Sequence, residues 1–539
     1  MSSTKQKPET DPRQTNSSSA EQAQGDDANE SIVGNRFLFF QAMPSWLTSF
    51  VIHVLLIVLL ALLTFALPRE EVVSLRTGEA IENTNTLNDM LDSFDMTDML
   101  LENTEFDEVS ETEFIEKFDE VEVADVFEDS FAVSDILSES LASSETATVG
   151  DLGAVAPHVG GRSASAKAKM LRERGGTAGS ENAVALALEW LARHQLKDGS
   201  WNFDHRIGDG EGDRRSPHPG TGTPAKYGAT AIALLPFLGA GHTHLEGEYA
   251  EVVRKGVEFL KTNKNRGKHG LSFSENAGTM YSHGLASLVL TELYAMTRDS
   301  SLSTDAQAVI DFIVASQDPV GGGWRYNFQQ AGDTSVVGWQ VMALKSADMG
   351  GLKVPSDTIR GVHRFLDSVS SGSGSMYGYT DPTNEGQIRP GMTAVGLLCQ
   401  MYLGWTRDNG SLQAGIGHLN RIGPRIGDWK PDMQLSEQDK YGFRADMYYN
   451  YYATMVMSQY GGPEWKKWNE EMREFLIATQ AQRGQSRGSW WFNNADDLGT
   501  RIGGRLYCTA MAAMTLEVYY RYLPLYDTKK TQASEFPLD

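Results

Sequence analysis

Cysteine is almost missing from this 539-residue chain: Cys399 and Cys508 are the only two. Two cysteines exclude a disulfide framework and a thiolate cage around zinc. Both stand in apolar helical runs, which predicts buried free thiols and leaves the compartment unfixed by cysteine usage. Positive charge is also short, with 47 Lys and Arg against 71 Asp and Glu for a formal net charge of −24. No broad surface can then neutralise phosphates, so nucleic acid is not an expected partner. The local basic run from Lys167 to Arg174 reads as a solvated face. There is no Gly-x-Ser-x-Gly elbow from which a Ser-His-Asp hydrolase could start. The first 45 residues, rich in Ser, Gln, Asn, Asp and Glu, hold few aromatics and cannot bury enough surface to order themselves.

Asp, Glu, Lys and Arg are all absent from one long run, residues 46–67, WLTSFVIHVLLIVLLALLTFAL, bracketed by Pro44 and Pro68. As a helix it would cross a hydrocarbon core of ~30 Å. It starts too far from Met1, and is too long, for a cleaved signal peptide. The expectation is therefore an uncleaved single-pass anchor. Its one titratable group, His53, is read as a neutral packed or snorkelling side chain. Arg36 precedes the run and Arg69 and Arg76 follow it, so charge does not orient it. The usual layout puts the large domain on the extracytoplasmic side. Residues 68–175 read as an acidic, self-repelling tether. The Val, Phe and Ile spaced through TEFDEVSETEFIEKFDEVEVADVFEDSF leave docking on a partner as the second reading of that stretch.

What is abundant after the tether is repetition. An amphipathic helix, a Gly-x-aromatic step and a more apolar helix recur. Good copies of the step are Gln195–Gly199–Trp201, Gln317–Gly322–Trp324 and Gln482–Gly488–Trp490; weaker ones end at Phe273, Tyr379 and Trp429. The second helices (KYGATAIALLPFL, YSHGLASLVLTELYAM, DTSVVGWQVMALKSA, GMTAVGLLCQMYLGW, MYYNYYATMVMSQY, LYCTAMAAMTLEVYY) are apolar almost all round, which marks buried helices. The first helices carry charge on one face and belong outside. About six outer–inner pairs predict an all-α fold, an α/α toroid, over residues 176–525, with a short tail at 526–539.

The Gln-x-Gly-x-Trp step resembles the QW motif of squalene and oxidosqualene cyclases, shared more loosely with protein prenyltransferase β-subunits. The chain most resembles uncharacterised bacterial members that carry an N-terminal anchor. The resemblance implies that Gln195/Trp201, Gln317/Trp324 and Gln482/Trp490 are structural staples. It also implies a test for activity. Squalene–hopene cyclases use D-x-D-D-T-A, whose middle Asp protonates an alkene. The matching place here is Gln330–Ser335, where Gly332 replaces that donor and only Asp333 remains. Asp333 is thus an acid candidate or, more simply, a helix N-cap. The zinc site of the prenyltransferases would put a thiolate where Ser335 stands, and His283 has no Cys partner; His242 and His244 form an H-x-H that could hold a metal on a loop. A thioester stretch, Gly-Cys-Gly-Glu-Gln, is absent. No metal and no cofactor is expected.

If the ring closes, the N-terminal ends of the inner helices form one mouth. Its expected pocket holds Lys226, Tyr227, Tyr281, His283 and Asp333, then Arg389, Asp446, Tyr448, Tyr449, Arg505 and Tyr507. The leading functional expectation is a non-cyclase toroid that binds a hydrophobic ligand or a protein partner at the cell envelope. The rivals are an isoprenoid- or lipid-modifying enzyme with Asp333 as acid, and a structural envelope component.

Overall fold

The computed structural model describes residues 162, 164–207, 216–276, 279–383, 388–522 and 525. The expected tail, anchor and most of the tether (1–161), and the end of the chain (526–539), lie outside the described residues. No helix among the described residues is long and apolar enough to cross a membrane.

Among the described residues a short helix, α1 (Ala164–Arg174), comes first. Twelve long helices follow in alternation. Those of the first kind are α2 (Ala178–Arg193), α4 (Ala250–Thr262), α6 (Ser300–Ser316), α8 (Ser356–Val369), α10 (Gly410–Ile422) and α12 (Gly462–Thr479). Those of the second kind are α3 (Lys226–Gly239), α5 (Thr279–Thr297), α7 (Thr334–Met349), α9 (Pro390–Tyr402), α11 (Met447–Tyr460) and α13 (Leu498–Leu516). A four-residue helix, α14 (Val518–Arg521), ends the series and packs on α1. The described residues ahead of position 176 thus include Arg162 and the helix α1.

Helix contacts close a ring. Each inner helix touches the next, α3 to α5 and onward to α13, and α13 returns to α3. The helices of the first kind pack outside them, and α12 reaches α2 across the seam. Composition explains the two layers. In α3 every residue from Gly228 to Gly239 is buried, whereas α8 buries one stripe and exposes its charges. Small residues set the spacing between inner helices: a Cβ on Gly284 would stand 2.6 Å from the Gln340 side chain, and one on Gly338 would stand 2.6 Å from Val395. Cys399 and Cys508 are buried and free.

The recurring step holds the ring together by one repeated geometry. Gln195 Nε2 donates to its own loop at Gly199 O (3.0 Å) and to the next outer helix at Val252 O (2.9 Å). Gln317 does the same to Gly322 O (2.7 Å) and Thr358 O (2.9 Å). Each following indole donates back to the outer helix it came from: Trp201 to Leu191 O, Trp324 to Ile313 O and Trp490 to Leu476 O. The intervening glycines sit at φ of +88°, +83° and +91°, and a Cβ on any of them would lie 2.1–2.3 Å from a carbonyl oxygen of the neighbouring outer helix. Only glycine fits.

Two details of the sequence reading are corrected here. In the last copy the bridging glutamine is Gln480, which donates to Gly488 O (2.9 Å) and across the seam to Ala183 O (2.7 Å). The Gln482 side chain only turns back onto Gln480, reaching its O at 3.3 Å and its Oε1 at 3.4 Å. The bond is set by position at the helix end: Gln317 and Gln480 are both C-caps, and a 3-10 turn at Gly484–Ser486 takes up the extra loop residues. In the fourth copy the aromatic position belongs to Tyr377, not Tyr379. Its N–H donates to Thr393 Oγ1, as Trp201 donates to Thr230 Oγ1 and Trp490 to Thr509 Oγ1.

Candidate functional site

Each inner helix starts at the same mouth of the ring, where its first N–H groups need acceptors. Asp333 caps α7 through Val336 N–H (2.9 Å), Asp446 caps α11 through Tyr449 N–H (3.0 Å), and Asp497 caps α13 through Gly499 N–H (2.9 Å). Ala225 cannot cap α3, so Glu275 of the adjacent repeat accepts from Tyr227 N–H (3.2 Å) and Gly228 N–H (2.9 Å). The mouth is thus ringed by carboxylates that the helix dipoles favour.

A cavity of about 120 Å³ opens behind this ring of acids. Residues of α3, α5, α7, α11 and α13 line it: Ile232, Leu285, Trp339 and Ile502 supply apolar walls, and Tyr281, Tyr448 and Tyr507 supply aromatic ones. Deeper on the axis the ring is filled. Trp339 stacks on Tyr451 with centroids 5.9 Å apart and meets Tyr452 edge-on at 5.5 Å. That aromatic layer is why the open volume stays small.

The sequence-selected residues divide sharply. Tyr281, Tyr448 and Tyr507 meet in the cavity, while Asp333 does not line it. Asp333 is fully buried; its Oδ1 accepts from Ser335 Oγ (2.6 Å), and Ser335 Oγ shares a 2.5 Å hydrogen bond with the Tyr281 hydroxyl. Tyr448 O–H donates to Ser335 O at 3.0 Å. A continuous path thus runs from the carboxyl through Ser335 to the cavity wall. Burial pushes Asp333 up to about 6, against its hydrogen bonds and the Arg325 guanidinium, whose Nε lies 3.7 Å from Oδ2. At Gly332, where the cyclase-type donor would stand, a Cβ would meet Gly323 Cα at 2.7 Å and the Phe365 ring at 2.8 Å. No side chain of any kind has room there.

The remaining selected residues lie elsewhere. His283 is fully buried, and its Nδ1 accepts Phe273 N–H (3.2 Å), the role Thr230, Thr393 and Thr509 play in other repeats. Burial pushes it down to about 3, so it stays neutral. Tyr449 turns outward, donates to Gly423 O (3.0 Å) and packs edge-on against Trp468. Arg505 pins a loop, donating to Pro217 O and Ser489 Oγ, both at 2.9 Å. Tyr227 and Lys226 border a separate open groove of about 510 Å³ with Glu258 and Glu275, where the Tyr227 hydroxyl donates to Asn263 O. Arg389 precedes α9, partly buried, and burial lowers its pKa. Asp446 keeps a quarter of its side chain open and lies 3.5 Å from Arg425. His242 and His244 do not converge: His244 pairs with Asp299 at 2.8 Å while His242 stands edge-on to Tyr249. Among the described residues no group of three or more His, Cys, Asp or Glu side chains could hold a metal ion.

Sequence reasoning passed over Asp497. It lines the cavity, is 3% exposed, and its Oδ2 accepts from Thr500 Oγ1 at 2.9 Å. Burial, and then the neighbouring Asp446 charge, push it up to about 7. The signal was available: Asp497 precedes an inner helix just as Asp333 and Asp446 do.

No protein-family model matches this chain, and no curated protein is similar to it. Solved structures do match in part. An inactive variant of the α-1,6-mannanase GH76A of Salegentibacter sp. HEL1_6, in complex with α-1,6-mannotriose, is 11% identical, with a TM-score of 0.42 over 63% of this chain and 99% of that one. The type II terpene cyclase MstE from Scytonema is 13% identical, with a TM-score of 0.40 over 63% and 97%. A point variant of the same cyclase, in complex with its substrate geranylgeranyl dihydroxybenzoate, gives 13% and 0.39 over 64% and 97%. The toroid described above rests on the ring of helix contacts and the repeated glutamine bonds, not on these scores.

Proposed function

We propose that the ring is a receptor for a small apolar molecule, or for the apolar end of a longer one, taken up at the mouth formed by the inner-helix N-termini. The observation that carries this reading is the cavity itself, lined by five inner helices and walled by Tyr281, Trp339, Tyr448 and Tyr507. Its size narrows the ligand. An apolar cavity of about 150 Å³ accepts benzene, so one of about 120 Å³ takes a single ring or a branched five-carbon unit. A whole long-chain isoprenoid does not fit. With residues 46–67 read as an anchor, the receptor stands at a membrane surface, where such molecules concentrate.

The test is saturable binding of benzene to the purified full-length protein and to Leu285→Trp, which fills the cavity from α5. Binding that disappears in the variant supports the reading; binding that is equal in both, or absent from both, sinks it. Extraction of the full chain from membranes by carbonate, compared with a chain lacking 46–67, tests the anchor.

A second reading is acid chemistry on the bound molecule, favoured by a carboxyl at the cavity wall that holds its proton near neutrality. Asp497 fills that role directly, and Asp333 only through Ser335 and Tyr281. Product analysis with an unsaturated ring-sized ligand would decide: turnover lost in Asp497→Asn supports it, and no turnover by the parent protein ends it.

A further inference from the structure

We propose that the acidic stretch at residues 104–131 docks on a basic groove of the ring itself, beside α1. The proposal is independent of the cavity reading above. The groove encloses about 620 Å³ between the end of α1, the turn from α11 into α12 and the first turns of α12. Five cations line it, Arg172, Arg174, Arg407, Lys466 and Arg473, against two carboxylates, Glu173 and Glu470. They come from three places in the chain, and the fold draws them to one spot. Arg174 Nη2 donates to Ser458 O and Oγ, both at 2.7 Å, and Arg473 Nη1 donates to Gly175 O at 2.7 Å. The Arg407 guanidinium lies on the same turn, its Nη2 being 2.9 Å from where a Cβ on Gly461 would stand. Arg172, Arg407 and Lys466 are exposed, so their charge is within reach of a partner in solvent.

The other two hollows described above have the opposite character. No Lys or Arg lines the cavity, and the groove beside Tyr227 sets Lys226 against Asp198, Glu258 and Glu275. In a chain of net charge −24, a groove with more cations than acids selects an acidic partner. Residues 104–131 carry twelve Asp and Glu and a single Lys. They are also close along the chain. About thirty residues separate Asp129 from Arg162, which is seated in the ring by its bonds to Leu238 O and Glu292. From there α1, roughly 16 Å long, leads to the groove, and a coiled connection of about thirty residues spans roughly 30 Å. The stretch therefore meets the groove at a local concentration on the order of millimolar, which a separate acidic partner would have to exceed. Guanidinium groups take carboxylates in paired hydrogen bonds. Each exposed pair is weak by itself, so the dock holds by number and nearness, and salt releases it. The basic run from Lys167 to Arg174 is then more than a solvated face, because its last turn lines a binding groove.

A carbodiimide joins an amine to a carboxylate only where the two touch, and it tests the dock on the full-length protein at low salt. The expected product is a linked peptide joining Lys466 to residues 104–131. The exposed Lys268 and Lys430, which lie outside the groove, should give no such link. Near 1 M salt, where charges are screened beyond ~3 Å, the yield should fall roughly tenfold. Arg172→Glu combined with Arg407→Glu should lower it as far at low salt, and an unchanged thermal midpoint would show that the ring is intact. Mixing isotopically heavy and light protein identifies the occupant: links within one mass support the proposal, and links between masses would give the groove to a second copy. No link to residues 104–131, equal links at all three lysines, or a yield indifferent to salt would overturn it. So would protection of Lys466 from an amine-reactive label by phosphatidylserine vesicles in place of the link, which would assign the groove to a membrane surface.

Discussion

The two ends of the ring are built from the same helices and differ in the charge that meets the helix termini. At the C-terminal ends, arginines meet the last carbonyls. Arg521 donates to Leu235 O (2.7 Å), Arg162 to Leu238 O (3.1 Å), and Arg174 to Ser458 O (2.7 Å). Glu292, 1% exposed, ties this end together by accepting from Arg162, Arg521 and the Tyr522 hydroxyl at 2.7–3.2 Å. Burial alone would raise Glu292, but Arg521 and Arg162 hold it below the usual carboxylate range. At the N-terminal ends the caps are acids and space remains. Helix dipoles dictate acids at one end and arginines at the other. Closure is a separate matter: one end is a seal, the other a receptacle.

Substitutions can break or sharpen that contrast. The largest effect is expected from Glu292→Ala, which strands two buried arginines in the seal. A loss of about 3–5 kcal/mol in unfolding free energy is expected by denaturant titration. A loss under about 1 kcal/mol would mean that this end is not a seal.

Next come the staples. Gln480→Ala leaves Ala183 O and Gly488 O without their donor at the ring seam and should cost about 1–3 kcal/mol. Gln482→Ala should stay within about 0.5 kcal/mol, as for an ordinary surface change. Equal effects would return the seam to the residue first read from the sequence.

The receptacle end responds to pH. Asp497 is raised in the folded state, from an ordinary value of 3.8 to about 7. Between those values the folded protein holds a proton that the unfolded chain has released. Its contribution to stability therefore falls as pH rises from about 4 to 7. Asp497→Asn keeps a hydrogen-bonding side chain but cannot ionise, so it should make the decline shallower when thermal unfolding is followed against pH, leaving the part due to Asp333, which burial also raises. A steeper decline in the variant would assign the titration to another group.

The smallest effect is expected at Asp333. Asp333→Asn keeps an N-cap oxygen and should change stability by less than about 1 kcal/mol. A much larger loss would show that the buried carboxylate and Arg325 form a pair that the ring depends on.

Much of this was legible along the chain. The six pairs, the inner–outer distinction and the glycine of each step follow from periodicities of three to four residues and from composition, both local properties of helices. The partner of each glutamine was not legible. Gln480 and Gln482 are equally good letters, and only the place where α12 ends chooses between them. The mouth was half legible for a similar reason. The N-terminal ends of the inner helices had to meet, which brought Tyr281, Tyr448 and Tyr507 together. Rotation of each helix about its own axis then turned Tyr449 outward and took His283 into a backbone cap.

The sequence by itself thus determined the helices, their sorting into two layers, and the acids that begin the inner ones, because propensity, patterning and capping act over a few residues. The tertiary structure decided ring closure across the seam between Gln480 and Ala183. It decided which end is sealed and how far the Trp339, Tyr451 and Tyr452 layer fills the axis. Those outcomes depend on residues hundreds of positions apart meeting within a few ångströms, and no local rule encodes that distance.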